Sequence, residues 1–330
     1  MRSMARWRAL VVLLFLSGAA FGPHRAMAQA YPTRPITMIV PFAAGGSTDS
    51  VARIVADAMA KSLGQSVVIE NVAGASGSLG VDRAVRATPD GYSICLGSWA
   101  SHVAAAAIHP APYDVLNDLA PVSLIASNPM IIVAKKTLPA NDLKELVAWL
   151  KANAGQALLG TAGPGSASNL AGAFFEKQTG TAFHRVPYRG LGLAMQDLVA
   201  GRIDLIIDLA ANALPQVRAG TVKAYAVTTP ERLGVAPDIP TVDEAGLPGL
   251  HMAVWQGLWA PKGTPQKVID RLDAAVVDAL ANPQARQKLI ELGQDIFPRD
   301  QQTPAALRAL HQADIEKWWP IVKASNARAD

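Results

Sequence analysis

Two glycine-rich turns, Pro41–Asp49 and Gly160–Asn169, hold the residues whose types and spacing suit recognition of an anion. Each follows a short apolar run and opens a stretch with helical spacing, so each joins a strand to a helix. Such a turn aims unpaired backbone N–H groups at a ligand and seats it at the positive end of a helix dipole. Small residues let the backbone approach closely. Neither turn contains Lys or Arg, and Asp49 is the one charge in either. Recognition there would rest on amides, hydroxyls and the dipole. The alternative is that the glycines serve tight turning alone.

Other chemistries find little support. Gly163-Pro164-Gly165 is followed by Ser168 where a dinucleotide fingerprint has its third glycine, and neither a phosphate-binding Gly-Lys-Ser/Thr run nor a Gly-x-Ser-x-Gly elbow occurs. His102, His109, His184, His251 and His311 lack the close spacing of a metal-ligand pair. Asp49, Asp208 and His184 are nominal acid–base candidates that no motif joins. No catalytic residue, metal or cofactor is therefore expected. Cys95 is the single cysteine, in the apolar run Tyr92–Gly97, and reads as a buried, inert thiol. Asp208 ends the run Leu205–Ile207 and either faces a cleft mouth or caps the next segment. Trp99, just after Ser98, either stacks on a ligand or packs in the core.

The elements that would carry the turns alternate strand and helix. Ile36–Val40, Val67–Ile69 and Tyr92–Gly97 read as strands, with Val51, Ile54, Val55, Ala58 and Met59 on one face of the first helix. A second set begins near Pro129, with strands Met130–Ala134, Ala157–Thr161, Ile203–Ile207 and Lys223–Thr228, and a helix over Asp142–Lys151. After Trp255–Pro261, Thr264-Pro265 reads as an N-cap with proline at the first helical position, and helices continue through Gln284–Leu292 and Pro304–Lys323. Glycine-bounded apolar strands joined by helices imply parallel sheets covered on both faces, in two α/β lobes. Without a flexible linker, the chain should cross between the lobes more than once, leaving a ligand cleft at the strand ends.

Length and charge agree with this picture. The 330 residues carry 30 Lys+Arg and 26 Asp+Glu, a net charge of +4. Residues 1–28 hold four of the arginines and no acid, so the remainder is balanced. Nucleic acid is not an expected partner, since that needs a basic face. Those 28 residues have a basic start, the apolar stretch Ala9–Phe21 and small residues at Ala26-Met27-Ala28, the pattern of a cleaved secretory signal peptide. Cleavage after Ala30 is the second choice.

With these features in place, the chain resembles the tripartite tricarboxylate transporter substrate-binding family, the Bug-type periplasmic receptors. The ordered motifs are Tyr31–Ile36, Val40–Asp49, Glu70-Asn71 with Gly74–Gly77, Pro89–Tyr92, Tyr188-Arg189-Gly190, Gly201–Asp204, Ile239–Gly246, Trp255–Leu258 and Ala260-Pro261. The resemblance implies a two-lobed periplasmic-binding-protein-like α/β fold, each lobe a mainly parallel sheet flanked by helices, with residues 31–130 plus 254–330 in one lobe and 131–253 in the other. It implies a monomeric receptor that holds a small organic anion, a mono-, di- or tricarboxylate or amino acid, between the two turns and presents it to a membrane permease of the tripartite tricarboxylate type, or to a sensor. The ligand-binding residues it implies are Phe42, Ala43, Ala44, Gly45, Gly46 and Ser47 in the first turn, and Thr161, Gly163, Ser166, Ala167 and Ser168 in the second. Gly74, Ser76, Ser98 and Asp208 are implied as other cleft-facing positions. Leu191, Leu193, Val72 and Trp99 depart from the family pattern and leave the distal half of the solute open.

Overall fold

The structure, a computed structural model, describes residues 31–109, 111–188 and 190–324. The expected signal peptide and Arg189 lie outside the described residues. β1 (Ile36–Val40) leads into α1 (Ser47–Leu63), β2 (Val67–Asn71), α2 (Ser78–Val85) and β3 (Ser93–Ser98). α1 buries Val51, Val55, Ala58 and Met59 along one face, and Gly64 ends it in the left-handed conformation with its N–H on the Ala60 carbonyl. β1 pairs in parallel with both β2 and β3. A π-helical turn over Ala100–Ala104 follows and runs into α3 (Ala105–Ile108).

β4 (Leu119–Lys135) is a single strand of 17 residues. Beyond it come α4 (Leu143–Ala152), β5 (Leu158–Thr161), α5 (Ala167–Thr179), β6 (His184–Pro187), α6 (Leu191–Val199), β7 (Leu205–Leu209), α7 (Ala210–Arg218) and β8 (Val222–Val227). β9 (Ala253–Pro261), α8 (Gln266–Ala281), α9 (Pro283–Glu291), β10 (Asp295–Ile296) and α10 (Pro304–Ala324) complete the chain. The strand order is β2-β1-β3-β9-β4-β7-β5-β6, with β8 and β10 paired to β4 off this path.

The sheet has two wings joined through β4. Residues 119–129 of β4 pair antiparallel with β9, and residues 130–135 with β7 and β8. The outer strands of each wing are parallel, as the βαβ pattern implies, and the joining strands add antiparallel pairs. Only the second half of β4 is readable as a strand in the sequence. The first half carries Pro121, Ser123, Ser127, Asn128 and Pro129, and the sheet absorbs Pro121 at a register shift against β9. The return crossing is fastened by buried Thr228. Its hydroxyl donates to the Met252 carbonyl at 2.6 Å and accepts from Met130 N–H at 3.3 Å, tying β4 to the segment that enters β9.

Alternation along β4 divides the core between the two sheet faces. Ile132 and Ala134 join a large cluster with Trp99, Trp259, Phe175 and Trp318, while Ile131 and Val133 join a second with Ile206, Leu198 and Leu214. Cys95 is buried, and burial pushes its thiol up to about 12, which makes it inert as expected. The helix after Pro261 starts one residue later than the sequence implies: Pro265 is the N-cap, and the Thr264 hydroxyl donates to the Pro261 carbonyl. Trp99 is wholly buried and meets Trp318 edge-on at 5.2 Å, so it packs in the core.

α2 supports the first turn through a close backbone approach at Gly80. A Cβ there would lie 2.5 Å from Pro41 Cα and 2.8 Å from the Val72 carbonyl oxygen, and neither backbone atom can swing aside. Gly80→Ala is expected to lower the unfolding free energy by ~2–3 kcal/mol in denaturant titration, the usual scale of overpacking. A loss under ~0.5 kcal/mol would mean that α2 is not seated against the turn.

Candidate functional site

The first turn is braced by Asp49, buried in the first turn of α1. Its carboxylate accepts from Gly45 N–H at 2.8 Å, Arg53 Nε at 2.9 Å and Asn71 Nδ2 at 2.9 Å. Asn71 Nδ2 also donates to the Phe42 carbonyl at 3.0 Å, closing a ring of bonds around the turn. Burial alone would raise the Asp49 pKa, yet the bonds from Arg53, Gly45 and Asn71 and the Arg53 charge hold it below the ordinary carboxylate range. The one charge in this turn is thus consumed by the protein itself. Gly46 caps α1 without a side-chain bond, so the first amides of the helix have no acceptor within it.

The second turn is braced by hydroxyls. Ser166 is the N-cap of α5, accepting from Asn169 N–H at 3.3 Å and donating to the Gly163 carbonyl at 2.7 Å. Ser168 Oγ accepts from Ala162 N–H at 2.9 Å, and Thr161 Oγ1 from Gly163 N–H at 3.3 Å. Gly165 has φ +73, and a Cβ there would lie 2.5 Å from Ile108 Cδ1 in α3, so glycine allows this turn to approach the first wing.

The two turns meet at one cleft of about 250 Å³. Phe42, Gly46, Ser47 and Thr48 line it from the first turn, and Ala162, Ser166, Ala167 and Ser168 from the second. Ser98, Asn128, Met130, Leu209, Val254 and Gln256 line it from the strands, with Ala100 and Leu191 beside them. Among the described residues no charged side chain lines the cleft. Ser98, Asn128 and Gln256 are buried, and their polar atoms Ser98 Oγ, both ends of Asn128 and Gln256 Oε1 make no hydrogen bond among the described residues. Asn128 belongs to no motif, Gln256 lies in the Trp255–Leu258 motif without an implied site role, and strand pairing brings both to the cleft.

Several expected positions stand elsewhere. Ala43, Ala44 and Gly45 form the exposed outer part of the first turn, between the lining residues Phe42 and Gly46. Thr161 and Gly163 are not in the lining and bond to each other within the second turn. Gly74 and Ser76 are also outside it, on an exposed loop in which Ala75 and Ser76 adopt left-handed conformations (φ 46 and 55) and Ser76 Oγ sits 3.3 Å from His109 Nε2. Asp208 also lies outside the lining. Strand alternation gives the cleft position to Leu209, and Asp208 is wholly buried, accepting from Leu209 N–H and Asn212 Nδ2. His184 lies at the far end of β6 from the turn, so the nominal acid–base candidates form no constellation. His102 and His311, distant in sequence, have ring centroids 5.8 Å apart, with His311 Nε2 3.0 Å from the His102 carbonyl. Burial keeps both below the usual histidine range, His311 at about 4. Among the described residues no group of His, Cys, Asp or Glu is arranged to hold a metal, and no helix is long and apolar enough to cross a membrane.

Two sheet wings joined by crossing strands, with a helix N-terminus from each at one cleft, define a periplasmic binding protein fold, and solved structures of that class match it. The model of the tripartite tricarboxylate transporter family receptor matches residues 51–327. The chain belongs to this family of Bug-type solute-binding receptors, which are not enzymes. A protein of Agrobacterium vitis encoded in the TAR-I ttuE-ttuC' intergenic region is 43% identical over 301 residues, 91% of this chain and 87% of its own. MatC from Rhodopseudomonas palustris, solved with bound malate, is 39% identical with a TM-score of 0.75, covering 88% of this chain and 100% of that one. A second R. palustris protein, solved with adipate, is 31% identical with a TM-score of 0.76, covering 89% and 98%.

Burial pushes the Asp208 carboxyl up to about 7, against the bonds from Asn212 and Leu209 that favour its charged form. The folded value exceeds the unfolded one, so the unfolded chain releases this proton first as pH rises. The protonated acid therefore supports the fold at low pH, and that support declines from about pH 4 to about pH 7 at no more than ~1.4 kcal/mol per unit. Denaturant unfolding from pH 4 to 8 should show this decline as a difference between the parent and Asp208→Asn. Parallel profiles would show that Asp208 ionises normally.

Proposed function

We propose that the chain captures a small organic carboxylate in the cleft between its lobes, residues 31–130 with 254–330 and residues 131–253, and presents it to a membrane permease of the tripartite tricarboxylate type. In this reading the signal peptide directs export, is removed after Ala28 or Ala30, and leaves a monomeric periplasmic receptor. The observation that carries it is an uncharged cleft at which two helix N-termini meet. Such a cleft holds an anion through unpaired amides and helix dipoles, with no cation needed. Relatives solved with malate and adipate support a carboxylate as the ligand class. Hinge motion about the crossing strands would close the lobes, driven by tighter binding to the closed form.

The role of the amides can be tested by proline substitution, most directly at Ala167, which loses no polar side chain. Ser47 and Ala167 are the first helical residues of α1 and α5, and both line the cleft. The residues before them, Gly46 (φ −79, ψ 170) and Ser166 (φ −68, ψ 156), are already in the extended conformation that proline requires of its predecessor. Proline is favoured at this helical position, so Ser47→Pro and Ala167→Pro each delete one N–H donor with little change in stability. Each should weaken carboxylate binding roughly tenfold or more in calorimetry, since a bond to a charged group is lost. Unchanged affinity in both variants would remove the turns from the binding site.

A bound ligand should also stabilise the parent protein. At a hundred times its dissociation constant it adds ~2.7 kcal/mol, readable as a shift in thermal unfolding. A panel of mono-, di- and tricarboxylates and amino acids that produces no shift would count against the receptor reading.

A further inference from the structure

The cleft floor is built from three buried neutral side chains on adjacent strands. Ser98 of β3 is in register with Gln256 of β9, and Asn128 of β4 with Val254, two residues from Gln256 on the same face. Ser98, Asn128 and Gln256 are at most 1% exposed. Ser98 Oγ, Asn128 Oδ1 and Nδ2, and Gln256 Oε1 have no hydrogen-bond partner among the described residues. Buried polar groups in a folded protein are nearly always paired, and all three of these residues open onto the same cleft.

Resting on the carboxylate-receptor reading above, we infer that Ser98, Asn128 and Gln256 select a solute whose end away from the two turns carries a neutral group that both donates and accepts hydrogen bonds, a hydroxyl or a carboxamide. The two amide oxygens, Asn128 Oδ1 and Gln256 Oε1, accept only, so they need a donor from the solute. The Asn128 amide nitrogen and the Ser98 hydroxyl supply donors in return. A second ionised carboxylate satisfies these donors but has no proton for either oxygen. A methyl end leaves both sets unpaired. Sites built to bond a polar group reject analogues that lack it, because the site's own atoms are then left without partners.

The chemistry is distinguishable with solutes of one length. Succinate, succinamate, 4-hydroxybutanoate and butanoate share a carboxylate and differ at the other end. Calorimetry on the full mature chain at pH 7.5 is expected to show succinamate or 4-hydroxybutanoate binding at least about tenfold tighter than succinate and butanoate, with the same order in the corresponding six-carbon series. Asn128→Leu and Gln256→Met preserve approximate side-chain size while removing the polar ends, and each should reduce that preference to within about threefold. Should one variant fail to fold, the other is read alone, with Ser98→Ala as a third. Binding in which the diacid equals or exceeds both neutral-ended solutes overturns the inference and leaves the receptor reading standing. A neutral-end preference that persists in every folded variant removes these residues from its cause. Failure of every carboxylate to bind the parent protein overturns the receptor reading itself.

Discussion

The architecture depends on one continuous strand. β4 gives its first eleven residues to the sheet with β9 and its last six to the sheet with β7 and β8. The positions of both turns are therefore referred to a single hydrogen-bonded backbone, whose polar groups must stay paired because the strand is buried almost throughout. The second crossing is tied to the first by Thr228, which joins Met130 and Met252. A strand shared by two sheets can bend or twist where its partners change, but it cannot slip without exchanging its two faces. The join between the wings therefore has a fixed register.

The site follows from how charge is handled near that join. Asp49 is the one charge in the first turn, and its carboxylate is committed to Gly45, Arg53 and Asn71. The second turn likewise commits hydroxyls of Thr161, Ser166 and Ser168 to its own backbone. What is left at the cleft is the start of each helix together with neutral side chains from the strands. In the proposed reading an anion there would be balanced by partial charges in a low-dielectric site, where fixed dipoles act more strongly than in water.

The first wing also contains a dense aromatic and histidine cluster behind the cleft. His102 lies in the π-helical turn that follows Ser98 and stacks on Trp259 at 3.8 Å, while Trp318 contacts both Trp99 and Phe174. Phe174 belongs to α5, the helix that carries the second turn, and Trp99 is the residue after Ser98. One C-terminal indole thus bridges packing from the two wings. π-helical turns recur at functional sites because they redirect the residues around them.

The two glycine turns, the alternating strands and helices, the inert Cys95 and the balanced charge are all legible in the sequence, because each is a local property set by residue type and spacing. The family motifs are local in the same sense. The first half of β4 is not legible, since its prolines and polar residues are tolerated only through pairing with β9, more than a hundred residues away in the chain. The same long-range pairing carries Asn128 and Gln256 to the cleft floor and gives Leu209, rather than Asp208, the cleft-facing position. Which polar group stays unpaired beside a ligand is a property of neighbours that only the folded chain assembles. The sequence by itself determined that two glycine-rich turns without a basic residue would exist and that the chain had the makings of two α/β lobes. The tertiary structure decided what lies between those turns, because register across a sheet sets the face to which every strand residue points.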